Sequence, residues 1–120
     1  MLFRSCSNDP ERYPDDSFDA MAERAAEKGY PFPYLHDASQ DVAKTYAAAC
    51  TPDIYIYDAD RTLVYRGRFD ETRPNQGTAH GGDLKTALDQ LLDDGELTIE
   101  QKPSMGCNIK WTPGHEPAYA

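Results

Sequence analysis

The chain has 120 residues, with 12 Lys and Arg against 21 Asp and Glu, a formal net charge of -9 and 39% hydrophobic content, which describes one acidic domain with no room for a second. That balance excludes a general phosphate-binding surface, because affinity for nucleic acid rests on cations that release counterions. Its apolar runs are a few residues long, far short of the roughly 20 that a membrane-spanning helix needs, so neither nucleic acid nor a bilayer is expected as a partner.

In chain order, a loop with Asn8, Asp9, Pro10 and Pro14 leads to a predicted helix over 17–28, where Phe18, Met21, Ala22 and Ala25 recur at helical spacing. Asp16 or Ser17 supplies the N-cap oxygen and Gly29 the left-handed stop. Pro31 and Pro33 forbid continuation, and 32–36 reads as a short extended segment. A second helix is predicted from a Ser39 cap to about Ala49, with Val42, Ala43, Tyr46 and Ala47 as its stripe. Runs at 54–57 and 63–66 carry β-branched and aromatic residues, and Asp58-Ala59-Asp60-Arg61 between them predicts a hairpin. Both faces of the first run carry apolar bulk, which predicts a strand covered on both sides.

A polar loop over 70–82, containing Pro74, Asn75 and Gly77, precedes a last helix at 83–93. Leu84, Ala87, Leu88, Leu91 and Leu92 line one face of it, and Gly95 ends it. Beyond it, 101–120 holds three prolines and two glycines and is expected to be irregular. Three helices over so few strands predict an α/β layer structure with part of its sheet unaccounted for.

Cys6, Cys50 and Cys107 cannot all pair with one another, and no Cys-x-x-Cys or Cys-x-x-His spacing supports zinc. No metal and no cofactor are expected; a zinc domain would require scattered His and Cys residues to converge. His80 and His115 read as exposed loop residues without a partner. Met1-Leu2-Phe3-Arg4-Ser5 lacks the apolar core and cleavage site of a secretory signal. With unpaired thiols in an acidic chain, the cytoplasm is the default compartment.

The most informative stretch is Ala49-Cys50-Thr51-Pro52-Asp53, between a helix and a strand. Pro52 has no donor to give a ladder, so it belongs at the start of a strand or in a bend, where its peptide bond is a candidate for cis. Alongside it stand Ser7-Asn8-Asp9-Pro10-Glu11, Phe32-Pro33-Tyr34-Leu35, Val42-Ala43-Lys44, Tyr57-Asp58-Ala59-Asp60 and Leu63-Val64-Tyr65-Arg66-Gly67. The most specific piece is the tail run Lys102-Pro103-Ser104-Met105-Gly106-Cys107-Asn108-Ile109-Lys110-Trp111. Taken together, these segments resemble the thioredoxin-like, peroxiredoxin-related redoxin family, the alkyl hydroperoxide reductase and thiol-specific antioxidant group. The resemblance covers nearly everything from Ser7 onward.

The resemblance implies a thioredoxin-like fold lacking its first strand and active-site helix. Residues 1–6 would then be a non-native or residual strand segment, 7–96 the C-terminal part of the domain, and 97–120 an irregular tail. Leu2-Phe3-Arg4-Ser5 is expected to be foreign to the protein, since a widely used sequencing-library adapter encodes those residues in one frame. Family members carry their attacking thiolate in a Cys-x-x-Cys-Pro segment ahead of the Ser-Asn-Asp-Pro run, and the 120 residues contain no such motif. The implied activity is thiol–disulfide exchange or peroxide reduction. A disulfide or peroxide is the substrate and an external dithiol regenerates the protein.

In that scheme Thr51 and Pro52 shape the substrate groove, whose exposed backbone pairs with an extended substrate. Cys6 follows the second strand of the family and is not the nucleophile. Cys50 is either redox-active near the active site or a small buried helix-end residue. Cys107, with Lys102 and Lys110 near it to lower a thiol pKa, is either a resolving or auxiliary cysteine or a gap-filler beside the anchors Ile109 and Trp111. Arg66 either stabilises a thiolate or, like Arg68 on the same face, is solvated or paired with Asp70 and Glu71. The chain alone is expected to be nearly inactive. The competing expectation is a non-catalytic thioredoxin-like interaction module, for which unpaired strand edges and a motif-bearing tail offer surfaces.

Overall fold

The computed structural model describes residues 1–73 and 75–120, so the predicted loop residue Pro74 lies outside the described residues. The fold is mixed α/β, with three small two-stranded sheets and three α-helices among the described residues. It divides into two units, Met1–Ala49 with Ile109–Ala120, and Cys50–Asn108. None of the described helices is long and apolar enough to cross a membrane.

The first unit opens with strand β1 (Arg4–Cys6), which pairs in parallel with β2 (Tyr34–His36). Helix α1 (Phe18–Lys28) makes the crossover between them. Ser17 Oγ accepts the Ala20 N–H at 3.2 Å, and Gly29, at φ 60, supplies the left-handed stop, as their residue types predict. Of the predicted apolar stripe only Met21 is buried; Ala22 points to solvent and Phe18 leans on the His36 ring while staying largely exposed. Arg4 lies over the rings of Tyr30, Phe32 and Tyr34 at 5.8 to 5.9 Å, so residues 4–6 are tied to the unit by both backbone pairing and cation–π contact.

Helix α2 (Asp41–Thr45) is much shorter than its periodicity predicts, and its cap differs. Ser39 Oγ takes only the Asp41 N–H, at 3.3 Å, whereas the buried Asp37 carboxylate takes the N–H groups of Val42 and Ala43 at 3.3 and 2.9 Å. A carboxylate at this position satisfies orphan donors and favours the helix N-terminus more strongly than a hydroxyl does. At the other end Ala47 adopts φ 53, so Tyr46 to Ala49 leave the helix, and Ala48 N–H returns to Ala43 C=O at 2.8 Å. This closure puts Ala43 and Ala48 in one buried cluster with Ile109 and Trp111. The tail is irregular as expected but firmly anchored: Tyr119 stands edge-on to Trp111 and its hydroxyl donates to Ala48 C=O at 2.9 Å.

The second unit contains β3 (Cys50–Thr51), the hairpin β4 (Ile54–Tyr57) and β5 (Leu63–Gly67), helix α3 (Gly82–Asp93) and β6 (Cys107–Asn108). The hairpin forms where Asp58-Ala59-Asp60-Arg61 predicts it. Asp58 accepts the Asp60 and Thr62 N–H groups, each at 2.9 Å, and Arg61 takes the left-handed region at φ 62. The expectation that β4 is covered on both sides fails: Ile54, Tyr55 and Ile56 are half-buried and Tyr57 is exposed. Within its unit β4 belongs to a two-stranded antiparallel ladder with β5, too narrow to be sandwiched. In α3 the predicted stripe is also half-covered, with Ala87 fully buried and Leu92 81% exposed.

Residues 101–104 run beside β5 rather than loose. Gln101 brackets the strand, accepting the Arg66 N–H and donating to Val64 C=O, both at 3.0 Å. Arg68 N–H donates to Lys102 C=O at 2.9 Å, and Ser104 Oγ donates to Gly67 C=O at 2.7 Å. A side chain at Gly67 would meet the Lys102 carbonyl at 2.7 Å, so this backbone approach needs a glycine.

Candidate functional site

Strand β3 ends at Thr51, and the Thr51–Pro52 peptide bond is cis. Its partner is β6, antiparallel, with Cys50 opposite Asn108 and Thr51 opposite Cys107. Opposed residues in an antiparallel ladder project to the same face and successive residues to opposite faces. Thr51 and Cys107 therefore share one face while Cys50 and Asn108 share the other, which sets Cys50 and Cys107 back to back. Thr51 Oγ1 donates to Cys107 C=O at 3.3 Å, and Cys50 Sγ donates to Pro52 C=O at 3.6 Å. At Gly106 an added Cβ would lie 2.1 Å from the Thr51 carbonyl oxygen, so the two backbones touch where no side chain fits.

Beside this ladder lies an open cleft of about 350 Å³. Pro52, Phe69, Ala79 and Met105 make its walls apolar, Thr51, Arg68 and Arg73 add polar groups, and Cys107 is part of its lining. Pockets of this size with few polar groups suit small ligands or one side chain of a larger one.

One side of the cleft belongs to the loop at 70–82, which is held closed by Asp70. This carboxylate is buried and accepts three backbone N–H groups, from Thr72 at 2.8 Å, His80 at 2.7 Å and Gly81 at 2.8 Å. Those bonds, led by Gly81, hold its pKa far below the ordinary carboxylate range despite burial. Because the folded value is depressed, the clamp is in full force above about pH 4 and fades only as pH falls from there through the depressed value. Of the alternatives open for Arg66 and Arg68, the structure shows ion pairing, with Asp53 and Asp83 as the acids. Arg68 binds Asp83 at 2.7 Å, and Arg66 binds Asp53 at 3.3 Å while lying over the Tyr55 ring at 5.1 Å.

Glu71 instead meets His80 Nε2 at 2.8 Å, so His80 has the partner its sequence context did not disclose. That contact raises the His80 pKa and lowers that of Glu71. Asp70, Glu71 and His80 also bring one potential metal-ligand atom each within 4.8 Å of one another. Their bonds are those of a loop clamp: the Gly82 N–H points at His80 Nδ1, and ligation through Nε2 would require a proton there.

The thiols differ in setting. Burial pushes the Cys50 pKa up, with Asp53 adding to the effect and Arg66 opposing it, so Arg66 acts on Cys50 but does not make it a thiolate at neutral pH. Burial likewise raises Cys6, its largest cause, against the N–H of Asn8. Cys107 is exposed, so it does not fill a gap beside Ile109 and Trp111, and Lys102 reaches Glu100 at 4.0 Å. The structure also brings forward residues that spacing did not mark: Gly106, Asp70, Asp37 and Gln40.

No family model and no curated protein matches the chain. Solved structures do. A hypothetical protein from Sinorhizobium meliloti is 46% identical with a TM-score of 0.89, over 95% of this chain and 63% of its own. An uncharacterized conserved protein from Geobacillus kaustophilus is 52% identical with a TM-score of 0.88, over 93% of this chain and 60% of its own. The chain thus spans about three fifths of the length of these neighbours, and neither name states an activity.

Proposed function

We propose that the chain is part of a thioredoxin-like thiol oxidoreductase or peroxiredoxin-like antioxidant protein whose attacking cysteine lies in a segment the 120 residues do not contain. What carries this reading is the ladder of β3 with β6: an extended strand running into Pro52, bordered by an apolar cleft, with an exposed thiol on the same face as Thr51. The order of elements supports it too, with a parallel strand pair crossed by α1, then an antiparallel hairpin, then α3. Thr51 and Pro52 shape the groove for a disulfide or peroxide. The thiolate of the additional segment attacks it, expelling a substrate thiolate to leave a mixed disulfide, or expelling water or an alcohol to leave a sulfenic acid; a second thiol resolves that species as a disulfide, expelling the remaining substrate thiolate or water, and an external dithiol restores both thiols while becoming a disulfide itself. Cys107 is the thiol of this chain placed for the second step. The chemistry needs no cofactor, and it suits a reducing cytoplasm.

The second reading, a non-catalytic thioredoxin-like interaction module, is favoured by one observation: the sheets among the described residues are two-stranded, and their outer strand edges offer pairing surfaces. Turnover separates the two. Insulin reduction and peroxide consumption are measured for the 120-residue chain and for an extended protein in which an added N-terminal segment carrying a Cys-x-x-Cys motif is joined to it. The redox reading expects activity in the extended protein alone. Full activity in the 120-residue chain, or none in a folded extended protein, contradicts it.

A further inference from the structure

We infer that residues 102–108 are a resident occupant of the β3 edge, an internal stand-in for an extended substrate that any polypeptide using this edge must first displace. The inference rests on the proposed function in one respect only, the assignment of the Thr51–Pro52 strand as the substrate edge. A two-residue strand offers a single short ladder on a given edge, and the edge facing β6 is already filled in antiparallel register, Thr51 opposite Cys107 and Cys50 opposite Asn108. Strand addition is how extended peptides bind such edges, with main-chain bonds giving affinity and side-chain fit giving selectivity.

The fit here is narrow. The residue at position 106 lies against the Thr51 carbonyl, with an added Cβ only 2.1 Å from its oxygen and 2.8 Å from its carbon, so the edge accepts a segment with glycine before the residue opposite Thr51. The occupant is also tethered. Lys102 C=O accepts from Arg68 N–H, Ser104 Oγ donates to Gly67 C=O at 2.7 Å with Asp53 Oδ1 as an alternative acceptor at 3.2 Å, and Thr51 Oγ1 donates to Cys107 C=O. A tethered segment competes at high effective concentration, so a free polypeptide of similar intrinsic affinity is excluded. The ligand class that matches the edge is therefore an extended Gly-Cys polypeptide. A small oxidant such as a peroxide enters the open cleft without displacing the tail.

The test is binding of a fluorescein-labelled synthetic peptide with the sequence of residues 102–108, its cysteine replaced by serine to prevent disulfide formation. It is titrated into the full 120-residue chain and its Gly106→Val variant. The branched side chain drives the resident segment off Thr51, so the variant binds the peptide at least about tenfold more tightly than the unmodified chain, a difference of about 1.4 kcal/mol. Equal affinity in two folded proteins overturns the inference. Amide hydrogen exchange on the unmodified chain provides a second reading should the variant not fold: the ladder amides of Thr51 and Cys107 exchange as slowly as those in the middle of α3, and exchange at the rate of an open loop overturns it. Neither measurement involves turnover, so failure of the redox reading appears in the insulin and peroxide assays and failure of the occupant appears here.

Discussion

Replacing Gln40 by leucine lowers stability by about 3 kcal/mol, although the side chain is neutral and lies in no apolar cluster. Gln40 is 2% exposed and saturates three backbone groups: its Nε2 donates to Ser7 C=O at 2.6 Å and Lys110 C=O at 3.1 Å, and its Oε1 accepts the Thr112 N–H at 3.0 Å. Leucine preserves bulk but removes the Gln40 bonds to Ser7 C=O and the Thr112 N–H, while Lys110 C=O keeps the Asp9 N–H, and an orphaned buried group costs about 1–3 kcal/mol. Around the same side chain Asn8 Oδ1 takes the Lys110 N–H at 2.9 Å and Asp9 N–H donates to Lys110 C=O at 2.7 Å, so the loss spreads through a connected network. The residue also sits at φ 66, where a glycine relieves strain. Gln40→Gly separates the two effects, regaining part of the backbone cost and none of the bonds. Urea unfolding followed by circular dichroism measures both variants; a Gln40→Leu loss below about 1 kcal/mol would show that the network is not what holds the tail.

Tyr65→Ala carries the largest expected loss in the second unit, about 4 kcal/mol, the range for emptying a large buried aromatic site. Tyr65 has no exposed surface, and its hydroxyl donates to Arg68 C=O at 2.6 Å. It lies beside Gly67, where a Cβ would stand 3.0 Å from its oxygen, so ring, glycine and the Lys102 carbonyl are packed as one block behind the tail segment. Tyr65→Phe keeps the ring and removes only the donor, and loses about 1–2 kcal/mol. Thermal unfolding of the three proteins gives the ordering. A phenylalanine variant as unstable as the alanine variant would place the stabilisation in the hydroxyl and not in the packing.

How far residues announced structure follows from how local each feature is. Ser17, Gly29 and Asp58 act on neighbours a few positions away, and the elements they bound appeared where their residue types predicted. Helix α2 is shorter than its periodicity predicts because its cap and its end are set at a distance. Asp37 is oriented by Ser7, thirty positions away, and Ala47 adopts a left-handed backbone that alanine does not signal. Strand β4 is less buried than its sequence predicts because two-faced apolar content reports what a strand can cover, not how many strands lie beside it. At the candidate site, Thr51, Pro52 and Cys107 were legible as motif residues, but their apposition was not. That requires the register of β6 on β3, which no periodicity encodes in a two-residue strand. The same holds for Gln40, whose three partners come from the segment at residue 7 and from residues 110 and 112. It explains why Ser7-Asn8-Asp9 and Lys110-Trp111, the ends of the recognisable motif set, belong together: they meet on one buried amide.

The most direct test of where the chemistry resides is to find which thiol is oxidised first. The extended protein, carrying the Cys-x-x-Cys segment, is treated with one equivalent of peroxide, quenched with a thiol-blocking reagent and mapped by mass spectrometry. The account predicts that oxidation begins in the added segment, resolves as a disulfide that includes at least one of its cysteines, and leaves Cys6 and Cys50 as free thiols. Oxidation that begins at Cys6, Cys50 or Cys107 while the added cysteines remain reduced would contradict it.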